Sequence, residues 1–330
     1  MNTQNKRALI ITGPTGVGKT DLSLALAQEM PVEIINADVG QFYEPLTIGT
    51  AKPNWRQLST PHHLFDILRE PRHFTVAEYR QRVALAVSEI FERKHVPVIV
   101  GGSLFYIKSL FFPTRNPTHD ITKDFEAEVD VDICDTFSLL TTADLWKQLY
   151  EIDPDSAQAI AKNDAYRLRR ALDIWRRFGI RPSELAPQYD PIAPCTLVYV
   201  TRDRQDLNQR IDRRTAYMIE HGWLDEVTSF AGTEWEPFLR RKKLIGYPDI
   251  LRFLNGRQTK QEYEDLVAHI ALSTRQYAKR QATFWRSLER SLKAEVDSEK
   301  RSVCIQANLT LSTHDLYIKQ LMSLYKTVDF

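Results

Sequence analysis

The sequence predicts an α/β fold, a parallel sheet flanked by helices and interrupted by a mainly helical insertion. Three observations predict it. Strand-like and helix-like segments alternate over the first hundred residues. A glycine-rich turn, GPTGVGKT, joins the first strand to the first helix. After about Pro113 the alternation gives way to a polar, acidic stretch and then to helices. A chain of 330 residues suits two domains, or one domain with a large insertion. The expected division is a core built from residues 1–115 and 195–330, the latter including C-terminal helices, around an insertion at 116–194.

Residues 7–12 (RALIIT) form an apolar run that stops at Gly-Pro, as a buried strand does. Residues 19–30 carry Leu22, Leu26 and Met30 at a spacing of four, one face of a helix. Residues 32–38 (VEIINAD) read as a second strand and 64–68 (LFDIL) as a third. Thr75 followed by Glu78 is a capping box opening a helix. Val76, Tyr79, Val83, Val87 and Ile90 give that helix its apolar stripe. VPVIV at 96–100, closed by Gly101-Gly102, is a further strand. Such alternation argues for a parallel sheet covered on both faces. Helices are expected at 142–150 and 164–178, a Pro-bearing connection at 185–194, and a strand rejoining the sheet at 196–200 (TLVYV). Long helices follow at 204–230 and 261–288. No repeats or low-complexity tracts are present.

With 43% hydrophobic and 26% charged residues, a mainly unfolded chain is excluded. No apolar run reaches the roughly 18 residues that span a bilayer. The N-terminal stretch meets Gly-Pro before any secretory apolar segment, so a cytoplasmic protein is expected. Cys134, Cys195 and Cys304 are far apart and lack CxxC spacing, which excludes a disulfide framework and predicts small buried side chains. The net charge of +1 hides an asymmetry. Residues 161–290 hold 24 Lys and Arg against 17 Asp and Glu, and the remainder is acidic. A basic second half fits a polyanionic partner, or equally a set of solvated Arg-rich helices.

Gly13 to Thr20 matches G-x-x-x-x-G-K-[ST] in its required setting, after a strand and before a helix. Glycines let backbone N–H groups turn inward, the helix N-terminus adds a positive dipole end, Lys19 offers a charge to phosphates and the Thr20 hydroxyl suits Mg²⁺. This identifies a di- or triphosphate ligand without saying which group is transferred. Asp38 falls at the end of the second strand, where ligands of such sheets collect, as a metal ligand, a general base or a cap for the next loop. The stretch after it carries Gln41, Tyr43, Thr50 and Lys52. In VGGS, Ser103 either faces the phosphates or caps a helix. On the helix STRQYAKRQATFWR, Arg275, Lys279 and Arg280 interleave with Tyr277, Phe284 and Trp285, either to hold nucleic acid or to bury the aromatics. Arg167, Arg169, Arg170, Arg176 and Arg177 form a second basic surface with the same two readings. His62 and His63, in a Pro-flanked segment, read as structural.

In order along the chain, GPTGVGKT, NAD with Gln41 and Tyr43, IGTAKP, PHHLFDI, VGGSLFY, NDAYRLRRAL, LIGY and TRQYAKRQATFWR resemble the bacterial tRNA dimethylallyltransferases (tRNA isopentenyltransferases). The resemblance runs from about Ala8 to Arg286; the last forty or so residues carry no recognisable motif. It implies a P-loop NTPase-like parallel sheet with a helical insertion. It implies transfer of a dimethylallyl group from dimethylallyl diphosphate to the exocyclic amine of the adenosine just 3′ of the anticodon, with Mg²⁺ and with the anticodon stem-loop of tRNA as partner; nothing in the sequence demands a dimer, and a monomer is expected. By position, Asp38, Ser103 and Lys19 take the catalytic roles. Gly13, Pro14, Thr15, Gly16, Val17, Gly18, Lys19 and Thr20 would hold the diphosphate, with Thr20 on Mg²⁺. The tRNA would be met by Asp38, Val39, Gly40, Gln41 and Ser103, by Tyr166, Arg167, Leu168, Arg169 and Arg170, by Lys243, Leu244, Ile245, Gly246, Tyr247 and Pro248, and by Arg275, Lys279 and Arg280. Val39, Ser103 and Pro248 differ from the family's usual residues, and its insertion arginine is absent after Asp120, where Lys123 and Arg115 are the nearest cations. The alternatives are a small-molecule kinase or an isopentenyltransferase acting on free nucleotides, and a non-catalytic RNA-binding protein.

Overall fold

The computed structural model describes residues 6–113, 137, 139–185, 187–295, 303–310 and 314–325. The expectations for Arg115, Asp120, Lys123, Cys134 and residues 114–132 lie outside the described residues. Six strands form one sheet: β1 (Ala8–Thr12), β2 (Val32–Asn36), β3 (His62–His63), β4 (Val96–Gly101), β5 (Cys195–Thr201) and β6 (Val303–Asn308). Their order is β3-β2-β4-β1-β5-β6, and every pairing is parallel. Every residue of β1 and β2 is buried, which is why β1 reads as an apolar run rather than an alternation, while β2 buries the polar Glu33 and Asn36 beside its apolar residues.

The chain clusters into two compact units. The first comprises Met1–Arg72, Arg82–Ile107 and Pro191–Phe330. It holds the sheet with α1 (Lys19–Glu29) and, late in the chain, α7 (Arg204–Met218), α8 (Leu224–Thr228), α9 (Trp235–Lys242), α10 (Tyr247–Leu254), α11 (Lys260–Ala294) and α12 (His314–Tyr325). Leu9, Ile11, Leu22, Leu26, Val98, Val198 and Leu321 are buried together between α1, α12 and the sheet. Each such side chain contributes about 1.5–3 kcal/mol. The second unit comprises His73–Gln81 and Lys108–Asp190. In it α4 (Thr142–Ile152), α5 (Pro154–Ala159) and α6 (Ala165–Phe178) enclose Leu145, Leu149, Leu168 and Leu172. A capping box of Thr141 and Asp144 starts α4, and Gly179 at φ +64° ends α6. The helices α2 (Val76–Glu92) and α3 (Leu104–Ser109) begin in one unit and end in the other.

The capping box at Thr75 is present: Glu78 N–H donates to Thr75 Oγ1 at 3.1 Å, and Thr75 N–H donates to Glu78 Oε2 at 3.1 Å. The third strand is corrected. It occupies His62–His63, and 64–68 leaves the sheet because Leu64 (φ +60°) and Asp66 (φ +54°) turn left-handed. The long helix expected over 204–230 breaks at His221 and Gly222, where Gly222 takes φ +102°. Cys195 is buried, its thiol pushed up to about 12 by burial, whereas Cys304 is only half-buried. β6 and α12 lie in the motif-free C-terminal stretch and had no sequence signal.

His63 is structural, as expected, and the reason is Glu33. This β2 carboxylate is 2% exposed and bonds Arg93 Nε at 2.8 Å, Arg93 NH2 at 2.9 Å, His63 Nε2 at 2.6 Å and His95 Nδ1 at 2.9 Å. The Arg93 guanidinium, aided by His63, holds Glu33 down to about 2 from an ordinary 4.5. A carboxylate depressed in the fold stabilises it above pH 4.5, and that contribution disappears as pH falls towards 2. Glu33→Gln should therefore lower the melting temperature by roughly 5 °C at pH 7. The gap to wild type should close between pH 4.5 and pH 2 in calorimetric scans; a gap independent of pH would show that ionisation of Glu33 does not matter.

Candidate active site

The site forms where β1, β2 and β4 end. Leaving β1, the chain turns at Gly13, which has no room for a side chain because a Cβ there would overlap the carbonyl oxygen of Val200. Gly16 (φ +81°) and Gly18 (φ +103°) complete the turn into α1. The loop is held by cations. Lys19 Nζ donates to the carbonyls of Gly13 and Pro14, both at 2.9 Å. Arg202 Nε donates to Val17 O at 2.8 Å, Arg210 Nε to Gly16 O at 3.0 Å, and Arg214 NH2 to Thr15 Oγ1 at 2.7 Å. On the remaining side, Thr15 N–H donates to Gln281 Oε1 at 2.9 Å.

Two cavities meet at this loop. The larger, about 590 Å³, is lined by Thr15, Gly16, Gly18, Lys19, Thr20, Asp38, Gln41 and His62 and by Arg210, Arg213 and Arg214 of α7. The other, about 350 Å³, is lined by Asp38, Val39, Gly40 and Ser103, by Lys243, Leu244, Ile245 and Tyr247, and by Thr274, Tyr277 and Arg280 of α11. Its wall also carries the apolar Met218, Trp223 and Ile270. Thr15, Asp38, Thr50 and Arg214 belong to both cavities.

Asp38 is fixed by its backbone. Its N–H donates to Asn36 Oδ1 at 2.8 Å, and its Oδ1 accepts the Gly40 N–H at 3.2 Å. Burial raises its pKa, opposed by the charges of Lys19 and Arg214. Burial likewise takes Lys19 down to about 8 and lowers Arg214. One anion and two cations thus share a desolvated space with net positive charge, an arrangement that awaits a polyanion. Ser103 is buried at the start of α3, and its hydroxyl accepts the Val39 N–H at 3.1 Å, so it ties the Asp38 loop to the β4 turn. Tyr277 interacts with Ser103 and Gln281 through its hydroxyl.

The residues expected from the motif pattern fall into groups. Thr15, Gly16, Gly18, Lys19 and Thr20 of the loop are brought together with Asp38, Gln41 and Ser103, with Lys243, Leu244, Ile245, Tyr247 and Arg280 on the neighbouring wall. Val17 turns its side chain into the core and Gly246 packs against Trp223; both are buried and neither lines either cavity. Tyr247 is buried and bonded to Glu226, and Pro248 opens α10. Arg275 pairs with Asp212 and lines a separate groove. Lys279 is exposed and lines neither cavity. In the second unit Tyr166 is exposed, Arg167 pairs with Asp164 at 3.4 Å, and Leu168 is fully buried, which spends its side chain on packing. Arg169 and Arg170 are partly buried beside it. Arg176 and Arg177 turn to the buried Asp173, so one of the two charges at that end of the basic surface is offset internally. Lys52 is structural, bonding Tyr43 O at 2.8 Å and Asp66 at 2.5 Å. Trp285 stacks on Tyr199 in the core at 4.4 Å.

Sequence reasoning missed Arg210, Arg214, Gln281, Trp223 and Glu226. The arginines had a signal, since 210, 213 and 214 share one helical face at spacings of three and four. Glu226 had none. Its carboxylate accepts the N–H groups of Thr47 at 2.9 Å, Ile48 at 2.5 Å and Gly49 at 3.1 Å and the Tyr247 hydroxyl at 2.8 Å. Together with Trp223, over which Gly49 and Gly246 pack, it latches the loop carrying Thr50 to the cavity wall.

Thr20 lies at the start of α1 with its side chain exposed to the larger cavity. Among the described residues no three His, Cys, Asp or Glu side chains gather as a metal site. A cation here would take the Thr20 hydroxyl and oxygens of a bound phosphate, which suits Mg²⁺, an ion that keeps few protein ligands.

A parallel sheet with a glycine-rich loop at the end of β1, leading into a helix, defines a protein of the P-loop architecture. The chain belongs to the IPP transferase family, whose model matches residues 41–288. It is 34% identical over 287 residues to the tRNA dimethylallyltransferase of Alkaliphilus metalliredigens, covering 85% of this chain and 88% of that one. With the enzyme of the same description from Protochlamydia amoebophila it shares 35% over 292 residues, covering 85% and 81%. Among solved structures, a eukaryotic dimethylallyltransferase acting on tRNA superposes with a TM-score of 0.74 at 25% identity, over 96% of this chain and 78% of that one. The tRNA isopentenylpyrophosphate transferase of Bacillus halodurans gives 0.58 at 25% identity, over 98% and 99%.

Replacing Glu226 by Gln leaves one oxygen for four donors and turns an N–H₂ towards the loop. Amide hydrogen exchange at Thr47, Ile48 and Gly49 should accelerate tenfold or more, on the order expected for losing charge-assisted bonds. Unchanged exchange at these three amides would mean that Glu226 does not hold the loop.

Proposed function

We propose that this chain transfers a dimethylallyl group from dimethylallyl diphosphate to the exocyclic amine of the adenosine 3′ of the anticodon in tRNA. The observation that carries this reading is Asp38, which stands in both cavities, beside Lys19 and Arg214 on one side and the tyrosine-lined wall on the other. An aryl amine is a weak nucleophile, so its reaction needs a positioned base and a stabilised leaving group. The amine nitrogen attacks the allylic carbon, the carbon–oxygen bond breaks with its electron pair leaving on the diphosphate, and Asp38 takes the proton released from nitrogen. The loop, Lys19 and Arg214 neutralise the departing diphosphate. Mg²⁺ on Thr20 would add charge neutralisation there. Burial raises the proton affinity of Asp38, as a base requires.

The target adenosine must leave its stack to reach the smaller cavity. Tyr277 and Arg280 suit a nucleobase and a phosphate respectively. In the second unit, Tyr166, Arg167 and Arg170 supply backbone contacts to the stem, and the enzyme works as a cytoplasmic monomer. Among the described residues no helix is long and apolar enough to cross a membrane.

Three measurements test this. Incubation with dimethylallyl diphosphate should prenylate unmodified tRNA and leave AMP untouched, by mass spectrometry of the nucleosides; prenylation of AMP alone would favour the free-nucleotide reading. Asp38→Ala should lower turnover roughly 10²-fold or more with tRNA affinity nearly kept, and equal turnover would remove Asp38 as the base. Binding of tRNA should weaken steeply with salt in filter assays; a flat profile would reject phosphate contacts as the source of affinity.

A further inference from the structure

We infer that Gln281 is a positioning residue for the diphosphate loop, setting its shape from the helix that also lines the nucleobase cavity. The inference rests on the reading of the loop as a diphosphate site. Gln281 is 5% exposed and both ends of its amide are used: Oε1 accepts the Thr15 N–H at 2.9 Å, and Nε2 donates to Gly102 O at 2.7 Å. These bonds span 266 and 179 residues of sequence. One side chain therefore joins the β1–α1 turn to the β4–α3 turn. Thr15 carries the effect onward, because its hydroxyl accepts from Arg214, whose guanidinium faces both cavities.

The placement is rigid. One turn further along α11, Trp285 stacks on Tyr199 of β5 with rings 3° from parallel. One turn earlier, Tyr277 reaches Ser103 and Gln281 itself. The glycine opposite is part of the device: a Cβ on Gly102 would lie 2.5 Å from Gln281 Nε2, while its other neighbours, Gly13 O and Lys19 Nζ, would be at an ordinary 3.5 Å. Gly102 has no left-handed φ, so a side chain there would act chiefly by displacing the Gln281 amide. A preorganised loop binds more tightly than one that must be ordered on binding.

The test uses the full chain with inorganic pyrophosphate as probe, in isothermal titration with Mg²⁺ present, alongside steady-state kinetics. Gln281→Ala should weaken pyrophosphate binding and raise the KM for dimethylallyl diphosphate by about tenfold, the scale of two neutral hydrogen bonds partly replaced by water. The KM for tRNA should stay near wild type. Gly102→Ala should weaken pyrophosphate binding to a similar extent by displacing the amide, yet cost nothing further in the Gln281→Ala background. Additive losses, wild-type pyrophosphate affinity in either single variant, or equal rises in both KM values with a fallen melting temperature would each overturn the inference. If wild-type protein does not bind pyrophosphate, the reading of the loop itself falls, which separates that failure from failure of the Gln281 role.

Discussion

The structure depends on one tight backbone approach, the turn leaving β1. Gly13 sits against Val200 of β5, and across the same strand ends a Cβ on Gly101 would overlap Ala37 after β2. Strands this close leave no side chains to fill the space above them, so backbone lines the floor of the site. A bare backbone turn carries carbonyls that need donors. Lys19, Arg202 and Arg210 supply them to Gly13, Pro14, Val17 and Gly16. The residues that satisfy the loop are therefore the same ones that make it positive. In the proposed reading, folding and diphosphate binding would draw on one set of cations.

Two charged clusters of the first unit show opposite solutions to burying charge. Glu33, near the amino end of β2, is matched at once by Arg93 and two histidines, and its ionised form is strongly favoured. Asp38, beyond the other end of the same strand, shares its space with Lys19 and Arg214, and burial pushes all three towards their neutral forms. The first arrangement is finished when the chain folds. The second becomes favourable only when more negative charge arrives, so it costs stability in the free protein. Such an unfinished cluster, lining a cavity, separates a working site from a structural one.

Local patterns were legible and long-range ones were not. The phosphate loop, the Thr75 capping box and the buried strands β1, β2, β4 and β5 follow from short-range periodicity and turn chemistry, which one stretch of sequence contains. The run at 64–68 had the apolar content of a strand, but Leu64 and Asp66 adopt left-handed conformations dictated by where Asp66 must reach, namely Lys52, Trp55 and Arg56. Gly222 breaks a helix that an otherwise continuous pattern extends through it. In the site, Asp38 and Ser103 could be marked because strand ends place them. Gln281 and Glu226 could not, because their partners are backbone atoms far along the chain, and backbone atoms leave no trace in residue type. The three cationic positions in TRQYAKR and the insertion arginines divide for the same reason: whether a helical Arg faces a cavity, as Arg280 does, or an acid, as Arg275 and Arg177 do, is decided by packing.

In the proposed reaction the charges of the site also link its two substrates. Lys19 and Arg214 lower the proton affinity of Asp38 while they face it alone. A bound diphosphate would engage both cations and add negative charge of its own, and each change makes Asp38 hold a proton more strongly. The base is thus weakest in the free enzyme and strengthens once the donor is in place, when an amine proton has to be accepted. As the carbon–oxygen bond breaks, further charge moves onto the diphosphate, close to the same cations, so the loop tightens on the leaving group while Asp38 is being protonated. Protonation removes the carboxylate's repulsion of that growing charge. Proton uptake and departure of the leaving group therefore favour each other through Lys19 and Arg214, and no contact between the base and the phosphates is needed for the coupling.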